Sequence, residues 1–453
     1  MVAPARLAAH SVLRDVESKR FDSSTALARA RVDLSDARDR ALVGEIVLGV
    51  LRWRLALDHI INILSSRPFD RIEPDLKDIL RAALYQLMHL DRIPDHAVLS
   101  DAVNLAKLIG QTRASGFINA LLRSFLEKRR PINFPIPIAH NVSDPATDSN
   151  SLQHLSVALS HPRWLVDRWF SRYGFSATRT WLTHNNQPAP MTVRSSRACQ
   201  TRDELQQELA SVGIKTEPTY YSKHGLTVLH GHQKAQQLAA AGSLFIQDEA
   251  AQLIPELFVG SDLDSVLDIC AAPGGKTLGI SCNHPAALLI AGELRENRSQ
   301  LLRQMLQRWG VPGVRTVRYD ATRPLPFLNK FSGILVDAPC TGLGVLRSNP
   351  EIRWRCEPAV LATYADTQQQ MLQQAANALR PGGFLVYSTC SSEPEENEMV
   401  IDNFLSSHPT FKIAQPQSKQ LSKMIDSDGF FRTLPFQHAL DAFFAVLLRS
   451  QPR

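Results

Sequence analysis

Val266-Leu-Asp-Ile-Cys-Ala-Ala-Pro-Gly-Gly-Lys-Thr277 is the stretch on which the fold turns. Its first residues read as a short buried strand. Cys270 to Gly275 then make a turn of small residues, which lets the backbone approach a ligand closely. The strand belongs to a series: Ser265-Val-Leu-Asp-Ile269, Ala287-Leu-Leu-Ile-Ala291, Gly333-Ile-Leu-Val-Asp337 and Gly383-Phe-Leu-Val-Tyr387 are near-continuous apolar runs. Strands covered on both faces have this pattern. Between the last two, Leu372, Ala375, Ala376 and Leu379 mark one face of a helix. Buried strands alternating with helices predict a doubly wound, mostly parallel α/β sheet of Rossmann type, with its ligand crevice at the strands' carboxyl ends. Asp441-Ala-Phe-Phe-Ala-Val-Leu-Leu448 supplies a final strand.

Outward from this core the chain changes character. Its 453 residues are enough for two to four domains. The first part reads as all helix: Leu80, Leu84, Leu87 and Met88 share a face, as do Ile118, Leu121, Leu122 and Phe125. Pro131-Ile-Asn-Phe-Pro-Ile-Pro137 and the polar run Asn141 to Asn150 read as a linker. After it, Pro188–Arg194 enters a strand, Thr201–Leu209 is a helix with a capping box closed by Glu204, and Leu226–Leu229 is a short strand. The expected division is a helical domain at 1–130, a linker at 131–150, a small α+β module at 151–242 and an α/β domain at 243–453.

Hydrophobic residues make up 44% of the chain and charged residues 21%, ordinary values for globular protein. No apolar run is long enough to span a bilayer, and the first residues lack a signal-peptide core. A soluble, cytoplasmic protein is expected, with no membrane partner. The six cysteines are scattered without a C-x-x-C, and His224, His230 and His232 have no cysteine pair beside them. This argues against a disulfide framework and a metal site, leaving thiols that are either buried or reactive. The net charge of +6 favours, weakly, an anionic partner such as nucleic acid.

Three ligands compete for the glycine-rich turn. A P-loop needs glycine where Cys270 stands, and Pro273 removes one amide from the phosphate cradle. A dinucleotide wants G-x-G-x-x-G, which is absent. S-adenosyl-L-methionine (SAM) has no pyrophosphate and does not need that grip. Its ribose hydroxyls want a carboxylate at the end of the next strand, and Glu293 stands there, about 20 residues past the turn. By itself Glu293 is as well explained as a solvated carboxylate opening a helix at Leu294–Arg298. The preceding turn favours the cofactor.

Cys340, in Asp337-Ala-Pro-Cys340, and Cys390, in Ser388-Thr-Cys390, each follow a buried strand. Two cysteines at the ligand edge of one sheet suit methylation of pyrimidine carbon 5. That carbon is a poor nucleophile until a thiolate adds at carbon 6 and turns the ring into an enamine. An acid facing the base must then hold the charge gathering on the ring. Asp337 can hold N3 or the exocyclic amine, as carboxylate or as acid. Spacing alone does not say which cysteine attacks.

These segments resemble the Sun/Fmu/RsmB family of RNA 5-methylcytosine methyltransferases. The likeness lies in Asp268–Thr277, in Asp320 within Arg318-Tyr-Asp-Ala-Thr322, in Asp337-Ala-Pro-Cys-Thr-Gly-Leu-Gly344 with Asn349-Pro-Glu-Ile-Arg-Trp354, and in Tyr387-Ser-Thr-Cys-Ser391 with Glu395-Glu-Asn-Glu398. Phe245-Ile-Gln-Asp-Glu-Ala-Ala251 matches the lead-in. The resemblance implies a SAM site built from Cys270, Ala271, Ala272, Pro273, Gly274, Gly275, Lys276, Glu293, Asp320 and Asp337. It implies Cys390 as the nucleophile, Cys340 in product release and Asp337 at the base. The chain departs from the family at His438-Ala-Leu-Asp-Ala442, where both alanines replace glycines; a positive φ at either would carry strain.

The first 130 residues resemble the NusB-type helical RNA-binding domain, through Ala3-Pro-Ala-Arg-Leu-Ala8, Leu51-Arg-Trp-Arg54 and Ile118-Asn-Ala-Leu-Leu-Arg123. Within the family, such a domain is typical of members acting on 16S ribosomal RNA. That RNA is the implied partner, bound by a monomer. Transfer RNA or 23S ribosomal RNA as substrate, or a non-catalytic assembly role, are the alternatives; intact Cys390, Cys340, Asp337 and Lys276 weigh against the last. Arg113, Arg123, Lys128, Arg129 and Arg130 form either a phosphate-binding stripe or a solvated face. Arg163–Tyr173 interleaves aromatic and basic residues, but Leu165 and Trp169 at i and i+4 favour helix packing over base stacking.

Overall fold

The computed structural model describes residues 2–127, 149–197, 200–311, 313–328 and 330–451. Most of the linker, and with it Lys128, Arg129, Arg130 and Cys199, lies outside them. The chain divides into two compact units, residues 1–188 with 346–355, and residues 189–345 with 356–453.

The first unit is helical: α1 (Pro4–Glu17), α2 (Ser23–Val32), α3 (Ala37–Leu64), α4 (Pro74–His89), α5 (Asp95–Leu108), α6 (Ser115–Glu127), α7 (Ser149–Ala158) and α8 (Arg163–Asn185). Pro4 sits in the first turn of α1, where its missing N–H costs nothing. The apolar stripes read from sequence are the core: Leu80, Leu84, Leu87, Ile118, Leu121, Leu122 and Phe125 are all buried. Arg81 is buried among them and donates to Asp58 at 2.6 and 2.8 Å and to Asp78 at 2.9 Å. α8 is broken at Gly174 (φ 76°, ψ 177°) into two helical halves; Leu165 and Trp169 on the first are fully buried, and Trp169 stacks on Trp181 of the second at 4.4 Å between centroids. The aromatic residue at that position therefore serves packing. Arg113 and Arg123 are exposed.

Ten residues from late in the chain, 346–355, complete this unit. Arg353 is fully buried. Its guanidinium donates to the carbonyls of Arg52 (3.3 Å), Ser160 (3.1 Å) and Asn185 (3.3 Å) and to Asn186 Oδ1 (2.9 Å). Trp354 Nε1 donates to Leu51 O at 2.6 Å, Arg355 to Val16 O at 2.6 Å, and Glu351 accepts from Ser23 N at 3.0 Å.

The second unit opens with a small antiparallel sheet of β1 (Thr192–Ser195), β2 (Lys215–Pro218), β3 (Leu226–His230) and β4 (Leu244–Ile246), ordered β2-β3-β1-β4. The helix expected beside it runs Arg202–Ser211 and carries the full capping box of Thr201 and Glu204. The large sheet contains β5 (Ser265–Asp268), β6 (Leu288–Glu293), β7 (Val314–Arg318), β8 (Phe331–Asp337), β9 (Leu379–Thr389), β10 (Phe411–Ile413), β11 (Phe431–Thr433) and β12 (Phe443–Ser450). Its order is β10-β12-β9-β8-β5-β6-β7, with β11 on β12. β9, β8, β5, β6 and β7 pair in that order, all parallel, whereas β12 is antiparallel to β9. Alternate residues feed two cores: Ile334, Val336, Leu385 and Tyr387 on one face, Leu335 and Val386 on the other. The helix before β9 spans Val360–Ala378 and buries Leu372 and Ala375. Leu379, expected on that helix face, instead opens β9. No helix among the described residues is long and apolar enough to cross a membrane.

Candidate active site

From β5 the chain runs outward to β6 and β7, then returns to place β8 on the other side of β5. This reversal opens a crevice at the carboxyl ends of β5 and β8, the usual ligand site of such sheets. The turn Cys270–Lys276 follows β5, and Asp337–Cys340 follows β8. β9 lies next to β8 with Asp337 opposite Ser388, so the Cys390 loop leaves the sheet beside the Cys340 loop.

Backbone hydrogen bonds fix that register: Ala338 N donates to Ser388 O and Gly344 N to Cys390 O, both at 2.9 Å. The outcome is a pair of sulfurs, Cys340 Sγ and Cys390 Sγ, 3.3 Å apart. Hydrogen bonding to Cys390, then burial, then the charges of Cys390 and Glu396 push the Cys340 thiol well above its ordinary range. In a site with a raised thiol pKa the proton stays on sulfur.

Asp337 sits beside the pair. Lys276 Nζ donates to its Oδ2 at 2.6 Å and Ser388 Oγ to its Oδ1 at 2.8 Å. Burial opposes the Lys276 ammonium, but the Asp337 carboxylate outweighs it and raises the Lys276 pKa; Cys390 acts in the same direction from close by. The turn thus contributes a fixed positive charge to the cysteine site.

Sequence profiles cover most of the chain: "NusB family" over residues 3–127, "Methyltr_RsmF/B-like, ferredoxin-like domain" over 161–234, and "16S rRNA methyltransferase RsmB/F" over 258–449. A Bacillus subtilis protein named "Probable ribosomal RNA small subunit methyltransferase B" is 31% identical over 92% of this chain and 92% of its own length. The chain belongs to the RsmB/F methyltransferase family. The Vibrio cholerae ribosomal RNA small subunit methyltransferase B is 31% identical over 98% of this chain and 97% of its own. The solved structure titled "Crystal Structure of PH0851" shares the fold, with a TM-score of 0.79 at 22% identity and 99% of each chain covered. A NusB domain, a small ferredoxin-like module and a mixed-sheet methyltransferase domain are therefore the architecture, and the enzyme is a SAM-dependent methyltransferase.

As an RsmB/F-family crevice, the β5 end fits that cofactor in its donor set and in one orphaned atom. Asp268 is buried, with Thr277 Oγ1 donating to Oδ2 at 2.6 Å and nothing bonded to Oδ1 among the described residues. Burial lifts its pKa to about 7, against the Thr277 hydrogen bond. Cys270 lies within reach of the charges of Asp268, Asp337 and Glu293, and burial, then those carboxylates, push its thiol upward. A thiol shifted in this direction stays protonated. Gly274 has φ +111°, a left-handed conformation that suits glycine, whereas a Cβ on Gly275 would lie 2.1 Å from the Phe245 ring. One glycine is required by the turn and the other by packing. Ala271 and Ala272 are buried, and Ala272 O accepts from Arg298 Nη2 at 2.6 Å.

Glu293 ends β6 and is buried. Its Oε1 accepts from Arg295 N at 3.0 Å, and the helix that follows begins only at Glu296. The alternative of a solvated helix-opening carboxylate does not fit this burial. Asp320 stands one strand farther out, after β7, and gives its oxygens to Thr322 N (3.0 Å) and Arg323 (3.5 Å).

Sequence reasoning missed the carboxylate that joins the two cysteine loops. Glu396 is fully buried. It accepts from Thr341 N at 2.8 Å, Thr341 Oγ1 at 2.6 Å, Gln368 Nε2 at 3.2 Å and the Ser391 hydroxyl. The clue was the acidic run Glu395-Glu-Asn-Glu398 just after Cys390, which hydropathy assigns to solvent.

Proposed function

We propose that this chain methylates carbon 5 of one cytosine in 16S ribosomal RNA through a covalent bond between Cys390 Sγ and carbon 6. The observation that carries this reading is the pair of sulfurs 3.3 Å apart at the ends of neighbouring parallel strands, with Lys276 and Asp337 beside them. When bound, SAM supplies the methyl group as an electrophile. The turn Cys270–Lys276 would hold it, with Glu293 on the ribose hydroxyls, Asp320 on the adenine side and Asp337 near the reacting end.

Cys390 adds as thiolate to carbon 6, and the ring's electrons move so that carbon 5 becomes nucleophilic. Asp337, anchored through Lys276 and Ser388, holds the base edge where charge gathers. After transfer a base, which solvent can supply, takes the carbon 5 proton; the electrons of that bond restore the carbon 5–carbon 6 double bond, and sulfur leaves carbon 6 as the Cys390 thiolate. Cys340, within hydrogen-bond reach of that sulfur, assists the release. A stacked base must first be extruded or lie in a loop. The helical domain over 1–130, the linker over 131–150 and the module over 151–242 would choose and grip the RNA, in a cytoplasmic monomer. The small-subunit RNA named for the relatives above supports 16S over other RNAs.

Cys390→Ala is expected to abolish methyl transfer, and Cys340→Ala to accumulate a covalent protein–RNA adduct resolved on a denaturing gel. Normal turnover by Cys390→Ala would refute the assignment. Bisulfite sequencing of total RNA from cells lacking the protein should lose a single 5-methylcytosine, in 16S ribosomal RNA.

A further inference from the structure

We propose that Glu396 is a positioning residue: its carboxylate clamps the loop after Cys340 to the loop after Cys390, and so sets how the two sulfurs face each other. The two loops leave adjacent strands, and beyond Gly344 N–Cys390 O little backbone pairing ties their tips together. Glu396 does so through side chains. One oxygen takes Thr341 N (2.8 Å) and Gln368 Nε2 (3.2 Å), and the other takes the hydroxyls of Thr341 (2.6 Å) and Ser391. Thr341 and Ser391 each follow a cysteine directly, so one carboxylate holds both loops one residue from sulfur.

The carboxylate is itself held from behind. Tyr387 Oη donates to Glu396 O at 2.5 Å, and Gln368 Nε2 also donates to Pro339 O at 2.9 Å, immediately before Cys340. The neighbour Asn397 continues the framework, with Nδ2 donating to Ser391 O at 3.0 Å and Oδ1 accepting from Thr389 Oγ1 at 2.6 Å. A buried carboxylate costs free energy unless its lone pairs are filled; four donors fill them here. Burial raises the Glu396 pKa while those donors pull it down. Two donors are hydroxyls that can rotate to accept instead, so an isosteric amide can keep the same frame.

This deepens the covalent-pyrimidine reading and rests on it for its meaning, but its geometry can be tested without RNA. A trivalent arsenical, phenylarsine oxide, binds both thiols of a close pair to one arsenic and releases water. The full chain should retain it through Cys340 and Cys390, and either Cys→Ala variant should not. Glu396→Ala is expected to lower that retention about tenfold and the rate of RNA adduct formation about 100-fold, with KM for SAM unchanged. Glu396→Gln should restore both to within about fivefold. Where Glu396→Ala does not fold, Ser391→Ala, which frees one loop only, should give a smaller loss of the same two readouts. Undiminished arsenical retention in Glu396→Ala, or in Ser391→Ala should that be the variant measured, overturns the clamp. A wild-type chain that binds the arsenical in a Glu396-dependent way, while its Cys340→Ala variant forms no RNA adduct, supports the clamp and refutes the covalent reading instead.

Discussion

Replacing Gly344 by alanine should disable the cysteine site while leaving the cofactor site intact. A Cβ at this position would lie 2.0 Å from Ala442 O and 2.7 Å from Cys390 O. Carbon and oxygen need about 3.3 Å, so one of these carbonyls, or Gly344 itself, must retreat by about 1 Å. Both neighbours are backbone, and both are fixed: Gly344 N donates to Cys390 O, and Ala442 N to Gly344 O, each at 2.9 Å. The relaxation loses about 1 kcal/mol for a hydrogen bond and about 1–3 kcal/mol for overpacking. For catalysis the displacement matters more than the energy. One of the two crowded carbonyls belongs to Cys390, and Gly344 is hydrogen-bonded to it, so the Cys390 loop shares the shift; a shift of about 1 Å at a reacting group costs on the order of 100-fold in rate. Single-turnover transfer of labelled methyl to RNA measures the loss, and calorimetric titration with SAM should give wild-type affinity. A folded Gly344→Ala enzyme with a single-turnover rate within about threefold of wild type would show that the Cys390 loop is not held as argued.

Ala439 has φ +55° and ψ 25°, a left-handed conformation that favours glycine. Alanine there costs roughly 1–2 kcal/mol, and glycine gives back about 0.4–1 kcal/mol through the unfolded chain, so Ala439→Gly should stabilise by about 0.5–1 kcal/mol in urea unfolding; an unchanged or lower midpoint contradicts the strain. Asp268 titrates at about 7 in the folded chain against 3.8 for a free carboxyl, so the native state holds its proton more tightly. Its contribution is fully present below pH 4 and is lost as pH rises toward 7. The Tm of the wild type should therefore fall relative to Asp268→Asn between pH 5 and pH 8, and a constant difference would mean that Asp268 is ionised throughout.

The catalytic sheet was legible because its strands are covered on both faces and its turns are made of small residues; neither signal needs tertiary information. Cys340 and Cys390 could be placed at strand ends for the same reason, but their separation depends on the β8–β9 register, which hydropathy does not encode. Leu379 was misplaced because an apolar residue at i+4 continues a helix stripe as well as it begins a buried strand. Glu396 and Arg353 were opaque for a common reason. Charged residues are assigned to solvent by composition, and only the fold reveals enough partners to make their burial tolerable. At 439 the departure from the family was visible in the sequence, whereas the φ that makes it costly was not; at 442 the alanine is an ordinary buried residue.

The helical unit also carries a consequence for the order in which the protein is made. Arg353 and Trp354 bind carbonyls 301 and 303 residues earlier in the chain. Domains usually close as they leave the ribosome, N-terminal first. This one is completed later: the carbonyls of Val16, Leu51, Arg52 and Ser160 meet donors that are translated only after β5 to β8. Closing so long a loop costs little more than closing one half its length, about 0.6 kcal/mol per doubling, so the penalty is paid in time more than in stability. The helical unit is thus the first part of the protein to be synthesised and among the last to be finished, and a ribosome that stalls before residue 355 releases neither unit complete.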